Sequence, residues 1–303
     1  AAATTPAAGK RRRGMVAADD AEPALANLLP ETDRARFQRW AVPGALSTVV
    51  ASVGLHLAGG LWASGGQAPA GKALGWGMLG WVLSIPIRVS GILLWRWWAA
   101  RSRPAGSADN PEETAAAVRR ESLVAMLLSG PAEEIPRVGF LVALNYTPVT
   151  AGADTALLNR VWSFSVGWTL VETVFFLAQG LQMLPVIEQA RELESSGADA
   201  TELVRQLVTM KGMFGRLPTS YHPMHSVFER CGAAILHTSL GFVAAAQPWL
   251  SVASTAFHSA TSLSLIHAIW SPHPSRTLLL RLTLSCATAA GGALLCYFLL
   301  SNV

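Results

Sequence analysis

Residues 73–95 read ALGWGMLGWVLSIPIRVSGILLW, and Arg88 is the only charged residue among them. An α-helix that crosses the hydrocarbon core of a bilayer needs about 20 predominantly apolar residues. Six further runs reach that length, and they cover residues 41–63, 121–145, 157–184, 224–247, 248–270 and 277–301. The sequence therefore predicts an all-α, polytopic transmembrane bundle of about seven spans.

The overall composition agrees with a bilayer as the solvent. Of the 303 residues, 51% are hydrophobic and 14% are charged, and the mean hydropathy is +0.36. Soluble globular chains carry charge on roughly 25% of their residues, so this chain has too few polar residues to cover a water-facing surface. The net charge of +4 comes with no nucleic-acid motif, and we expect no nucleic-acid partner.

Two polar segments interrupt the apolar pattern. Residues 1–40 have no apolar h-region of the kind that a signal peptide needs, and we expect a largely disordered tail that ends in an amphipathic helix. Residues 41–303 then form the transmembrane bundle. Within it, residues 186–222 are polar and mixed in charge. They predict a soluble insertion, with one helix over about 186–210 followed by a loop.

The distribution of Lys and Arg predicts the orientation. These residues collect in the N-terminal tail, in the loop between the second and third spans, and in the 186–222 insertion. The opposite loops hold only Lys72, with Arg160 near one helix start. Because positively charged loops stay on the cytoplasmic side, we expect the N-terminus on the cytoplasmic, matrix or stroma side. The C-terminus is expected on the opposite side.

Ionisable side chains inside the spans are the candidates for function, because a charge at a helix centre costs roughly 2.5–3.5 kcal/mol even on translocon scales. The densest group lies in the third span, which contains Ser129-Gly-Pro-Ala-Glu-Glu-Ile-Pro-Arg137. Arg137 follows Glu133 by four residues and Glu134 by three, so it can pair with either carboxylate. We expect the other carboxylate to stay uncompensated and to bind a proton or a cation. The Gly-Pro step predicts a kinked or broken helix.

The neighbouring spans carry further candidates at similar depth. Glu172 lies in the middle of the fourth span, and His237 lies about as deep in the fifth span as Glu134 does in the third. Small residues flank His237 at helical spacing, which favours close approach of another helix. Arg88 could balance one of the glutamates of the third span. Each buried histidine could alternatively serve as a hydrogen-bonding contact between helices.

The sixth span offers two histidines, and the fifth offers an adjacent acid and base. His258 and His267 are nine residues apart, which places them on opposite faces of a straight helix. Only one of them can face a shared site, and its central depth favours His258. Glu229 and Arg230 lie near the inner end of the fifth span, where we interpret them as a structural ion pair.

Four short motifs follow one another along the third to sixth spans. They are Gly130 to Arg137, Gly167 to Glu172, Glu229-Arg230 with His237, and His267 to Ser271. They resemble the motifs of the YhfC-type intramembrane metalloproteases, relatives of the CAAX-prenyl-protease and PrsW proteins. That family shows Gly-x-x-Glu-Glu-x-x-Arg, Gly-His-Gly-x-x-Glu, Glu-Arg with a histidine two turns on, and His-Ala-x-x-Asp. This sequence departs from it at Trp168, in place of a histidine, and at Ser271, in place of an aspartate.

The resemblance implies an enzyme that hydrolyses peptide bonds within the bilayer with the help of zinc. The catalytic residues that it implies are Glu133, Glu134, Arg137 and Glu172. The metal ligands that it implies are Glu134, His237 and His267, with His258 as a substitute. An indole donates a hydrogen bond but cannot coordinate a metal, so Trp168 cannot replace the histidine as a metal ligand.

The sequence leaves three functions to be compared. The first is an intramembrane protease-like protein, whose partners are the bilayer and a transmembrane or lipidated protein substrate. The second is a catalytically inactive relative that acts as a scaffold or as a subunit of a membrane complex. The third is a transporter of protons or small solutes that uses the same buried Glu and His residues. Inverted repeats would accompany such a transporter, and the two halves of the bundle show no convincing internal symmetry.

Overall fold

The computed structural model describes residues 25–63, 66–101, 111–149, 154–214 and 217–269, together with residues 287 and 290. Within these residues the chain is helical and contains no strand, so the predicted all-α class is confirmed. The helices are α1 (Leu25–Leu28), α2 (Glu31–Ala63), α3 (Gly71–Arg101), α4 (Pro111–Ala143), α5 (Thr155–Leu181), α6 (Met183–Ser196), α7 (Thr201–Phe214), α8 (His225–Ala246) and α9 (Ser251–Ile269).

Three helical stretches are long and apolar enough to cross a membrane. They are Glu31–Gly60, Gly71–Arg101 and Thr155–Ser196. They contain the predicted second and fourth spans and residues 41–60 of the predicted first span. Large apolar side chains on their outer faces are open to the surroundings, such as Val50 at 71% and Leu94 at 65% exposure. Water does not favour apolar surfaces of this extent. Of the predicted seventh span, 277–301, all residues except 287 and 290 lie outside the described residues.

The structure describes residues 25–40 of the first polar segment and most of the second. Residues 1–24 lie outside the described residues. Helix α2 begins at Glu31 and continues past residue 40, so the helix has no break at the predicted boundary between the tail and the bundle. The predicted single helix over 186–210 is two helices, because α6 ends at Gly197 with a left-handed φ of 64°. Glycine adopts this conformation without a steric penalty. Asp199 then accepts a hydrogen bond from the backbone of Thr201 and starts α7.

Helix α4 runs without a break through Pro131, so of the two predicted alternatives, a kinked or a broken helix, the broken helix is wrong. A proline inside a helix leaves the carbonyl four residues earlier without its usual donor, here the carbonyl of Leu127. The hydroxyl of Ser259 in α9 donates to that carbonyl at 2.7 Å. A neighbouring helix therefore satisfies the freed group, as apolar surroundings require. Gly130 permits the close contact, because a Cβ there would lie 2.3 Å from the carbonyl oxygen of Thr255.

At one end of the bundle, α1, the start of α2, α6 and α7 form a separate apolar cluster. Arg34 of α2 is buried there. Its guanidinium donates two hydrogen bonds of 2.6 Å to the Glu194 carboxylate of α6 and one of 2.5 Å to the Leu29 carbonyl. Paired donation of this kind is the strongest form of carboxylate recognition. Arg34 therefore joins α2 to α6.

Replacing Arg34 with alanine is expected to destabilise the folded protein by about 2 kcal/mol, because charge-assisted hydrogen bonds are lost and the Leu29 carbonyl loses its donor. Thermal unfolding of the purified protein in detergent measures this change. Arg205→Ala is the matched control, since Arg205 and Glu202 are both largely exposed and such pairs contribute little. Equal unfolding temperatures for the two variants would contradict the role given to Arg34.

Candidate metal centre

Four helices meet around the acidic stretch of α4. Because Glu133, Glu134 and Arg137 lie within about one helical turn of each other, α4 can present all three to the interior, where all three are buried. The contact between Gly130 and α9 brings His258 beside this turn. Helix α5 supplies Glu172, and α8 supplies His237 and Arg230.

Each of the three buried glutamates has an arginine partner. Glu133 pairs with Arg88 of α3, Glu134 pairs with Arg137, and Glu172 pairs with Arg230 of α8 at 3.0 Å. The expectation that one carboxylate of the Glu133-Glu134 pair remains uncompensated is therefore wrong. Arg88 supplies the missing charge from a helix that lies 45 residues earlier in the chain. Ion pairs of this kind reduce the penalty of placing charges in an apolar interior.

The contacts of His237 determine which of its ring nitrogens carries the proton. Nδ1 lies 2.8 Å from a terminal guanidinium nitrogen of Arg137. An arginine side chain has donors and no acceptor, so Nδ1 accepts this hydrogen bond and the neutral ring carries its proton on Nε2. That nitrogen lies 2.9 Å from Oε2 of Glu172. His237 is thus held between α4 and α5 through its two nitrogens.

His258 has the opposite arrangement. Its Nδ1 lies 3.2 Å from Oε1 of Glu134, and because a carboxylate accepts, Nδ1 is the donor. The neutral ring therefore keeps the lone pair of Nε2, which lies 4.0 Å from Oε1 of Glu133. The rings of His258 and His237 meet edge to face with 5.0 Å between their centres. The lone pair of Nε2 can bind a proton or a metal ion.

Glu133, His237 and His258 have the geometry of a metal site. One ligand atom from each lies within 4.8 Å of the other two, and all three residues are buried. No described residue donates a hydrogen bond to Oε2 of Glu133 or Glu134, so each of these two carboxylates keeps one buried acceptor atom without a donor. Two histidines and a carboxylate match the ligand sets of catalytic zinc sites. The contact of Glu134 with Nδ1 of His258 matches the carboxylates that orient such histidines.

One contact opposes metal binding in this geometry. Nδ1 of His237 lies 3.8 Å from Oε2 of Glu133. Its lone pair accepts the hydrogen bond from Arg137. A ring nitrogen cannot accept a hydrogen bond and coordinate a metal with the same lone pair. The residues present therefore fit a metal ion, provided that Arg137 withdraws from His237.

The structure brings together most of the residues that the sequence predicted. Those that meet are Glu133, Glu134, Arg137, Glu172, His237 and His258. The structure places Glu133 with the two histidines, whereas the predicted metal ligand was Glu134. Arg230 pairs with Glu172, and the ion pair of Glu229 with Arg230 stays a prediction. The side chain of His267 and the whole of Ser271 lie outside the described residues.

Two further residues belong to the centre in ways that the motifs do not indicate. Arg88 completes the charge balance, and its signal in the sequence was that of a single charge within an apolar span. Trp168 lies with its ring 4.5 Å from the guanidinium carbon of Arg137. This residue was predicted only as a departure from the family pattern. In the structure it contacts the centre through the face of its ring.

Comparison with family models, with curated proteins and with solved structures found no match to this chain. Its class therefore follows from fold and site alone. The described residues form a helical protein with membrane-length apolar helices and a buried centre of Glu, His and Arg that could hold a metal ion.

Proposed function

We propose that this chain is an integral membrane, zinc-dependent hydrolase that cleaves peptide bonds inside the bilayer. The observation that carries the proposal is the convergence of Glu133, His237 and His258, whose ligand atoms lie within 4.8 Å of one another in a buried position. Three protein ligands leave a fourth position for water or substrate, which is the arrangement of catalytic zinc sites. When bound, zinc supplies Lewis acidity toward water and a peptide carbonyl.

The residues around this position have different roles in the proposed reaction. Oε2 of Glu134 receives no hydrogen bond from the described residues, so it can accept a proton from an attacking water. Its Oε1 receives the hydrogen bond from His258 and keeps that ring oriented. Oε2 of Glu172 lies 2.9 Å from Nε2 of His237 and holds that ring from α5. General-base catalysis of this kind needs an acceptor within hydrogen-bond reach of the water.

The membrane arrangement that accompanies this proposal has seven spans, with the N-terminus on the cytoplasmic, matrix or stroma side. The motif resemblance to YhfC-type proteases supports it, as do the three membrane-length helices. A transmembrane or lipidated protein would be the substrate, because only an apolar segment can enter between helices whose outer faces are apolar. Arg88 has the most exposed side chain among the charged residues of the centre, at 28%.

The proposal is tested by metal content and cleavage in the same preparation. We expect the full chain in detergent to bind about one zinc ion and, in proteoliposomes, to cleave a single-span helical reporter. His258→Ala should weaken zinc binding more than about 100-fold, because even residues that only orient a ligand contribute 10- to 100-fold. His222→Ala is the control, since this histidine packs against Trp40 with 5.3 Å between the ring centres and lies outside the centre.

Zinc binding that is unchanged in His258→Ala would contradict the proposed metal centre. Zinc binding without cleavage of any helical reporter would contradict the proposed hydrolase. Both measurements use the same purified protein, and its unfolding temperature shows whether each variant is folded.

A specific observation also favours the second candidate, an inactive relative that serves as a scaffold or complex subunit. An arginine neutralises each buried glutamate, and Arg137 donates a hydrogen bond to His237, so the charge of the centre is balanced without a metal ion. Under this alternative, the wild-type protein would contain no zinc and would remain folded in the presence of a chelator. A chelator that lowers its unfolding temperature would exclude this candidate.

A further inference from the structure

Arg137 is the residue that decides whether the centre can accept a metal ion. It is buried, and its guanidinium contacts three groups at once. It pairs with the Glu134 carboxylate, it donates to Nδ1 of His237 at 2.8 Å, and it lies over the ring of Trp168 at 4.5 Å. Only the contact with His237 competes with a metal ion. The other two contacts determine where the guanidinium rests.

The ring of Trp168 is held in place by packing. The side chain is completely buried, and a Cβ at Gly80 of α3 would lie 2.9 Å from its Cζ3 atom. Its ring centre lies 6.2 Å from that of Phe164. No described residue accepts a hydrogen bond from its indole nitrogen. The contact that Trp168 makes with a charged group is therefore the one through its ring face, with Arg137.

The attraction between an arginine and an indole face is largest where water is excluded. Tryptophan is the best aromatic partner for a cation, and its contact is worth a factor of roughly 2 to 30 in an equilibrium constant. Arg137 and Trp168 are both among the most deeply buried large side chains of the described residues. Trp168 therefore favours the position of Arg137 in which the guanidinium also reaches His237.

We propose that Trp168 is a positioning residue that keeps Arg137 on Nδ1 of His237 and thereby weakens metal binding at the centre. The arginine and the metal ion compete for the same lone pair, so a weaker hold on Arg137 increases the affinity for the ion. This inference rests on the proposed metal centre of Glu133, His237 and His258. It assigns to Trp168 the control of metal affinity, a role that the family motif, with a histidine at this position, does not imply.

The test is a titration of the full chain in detergent with Co²⁺, whose visible absorption reports ligation directly. Trp168→Leu removes the ring and should bind Co²⁺ roughly 2- to 30-fold more tightly than the wild type. Trp168→Phe keeps a weaker aromatic face and should lie between the two. Trp81→Leu is the matched control, because Trp81 is buried in the same apolar cluster and packs on Phe175. It should leave the Co²⁺ affinity unchanged.

The outcomes separate this inference from the proposed function. Tighter Co²⁺ binding by Trp168→Leu supports the inference if adding His258→Ala abolishes that binding. Co²⁺ binding that appears only when Trp168 is replaced also supports it. Equal affinity in the wild type and both Trp168 variants overturns the inference while the metal centre stands. Equal tightening in Trp81→Leu also overturns it, because general loosening would then be the cause. If no variant binds Co²⁺, both proposals fail. Should Trp168→Leu not fold, Trp168→Phe alone decides.

Discussion

Replacing Glu134 with glutamine is expected to lower the rate of reporter cleavage by about 10² to 10⁴-fold, the range that general-base catalysis contributes. Glutamine retains the carbonyl oxygen that accepts from Arg137 and His258, but it lacks the carboxylate oxygen that would take up the proton of water. Glu133, His237 and His258 remain in place in this variant. We therefore expect zinc binding of about one ion per chain to persist while cleavage is lost.

Single-turnover cleavage in proteoliposomes, with zinc measured on the same sample, checks this result. Glu121→Gln is the control on the same helix, since Glu121 pairs with Arg96 away from the centre, and it should cleave at the wild-type rate. If Glu134→Gln loses both zinc and cleavage activity, Glu134 is a metal ligand, as the sequence predicted. Wild-type cleavage by Glu134→Gln would remove the basis for a hydrolase that uses this carboxylate.

The largest expected loss of stability follows from adding one methyl group at Gly167. A Cβ at this position in α5 would lie 2.0 Å from the carbonyl oxygen of Leu74 in α3. The same interface contains Gly77, where a Cβ would lie 1.9 Å from the carbonyl oxygen of Phe164. Small residues allow helices in membranes to pack closely, and there is no side chain here that could turn away. Gly167→Ala must therefore separate α3 from α5.

We expect Gly167→Ala to destabilise the protein by about 3 kcal/mol, the upper end of the usual range for overpacking. Thermal unfolding in detergent measures the change. Gly139→Ala in α4 is the matched control, because no described atom lies within 4 Å of the position that its Cβ would occupy. Alanine favours a helix over glycine, so this control should be neutral or stabilising. A Gly167→Ala protein as stable as the wild type would contradict the close packing of α3 and α5.

Much of the site could be predicted from the sequence because charges in apolar helices are so rare. The unfavourable transfer of a charge into an apolar interior makes Glu133, Glu134, Glu172 and His237 conspicuous without knowledge of the fold. The preference for His258 over His267 came from its depth along the helix, and the structure brings His258 to the glutamate pair. The roles of these residues in catalysis remain predictions.

The predictions that failed concern partners that lie far apart in the chain. A proline predicts a missing donor but not that Ser259 would supply it. Two carboxylates beside one arginine predict an excess of negative charge, which is wrong, whereas the alternative prediction that Arg88 balances one of the glutamates is confirmed. In both cases the deciding contact depends on which helices are neighbours, and helical spacing reports only contacts within one helix.

Hydropathy and the cost of burying charge act residue by residue. The helical class, the membrane-length apolar segments and the identity of the buried charged groups could therefore be predicted without the fold. The packing of the helices was needed to show that Glu133 joins the two histidines, that each glutamate has its own arginine, and that the ring of Trp168 lies against Arg137. Distances between helices determine ligand sets and ion pairs, and close contacts at Gly130, Gly77 and Gly167 set those distances.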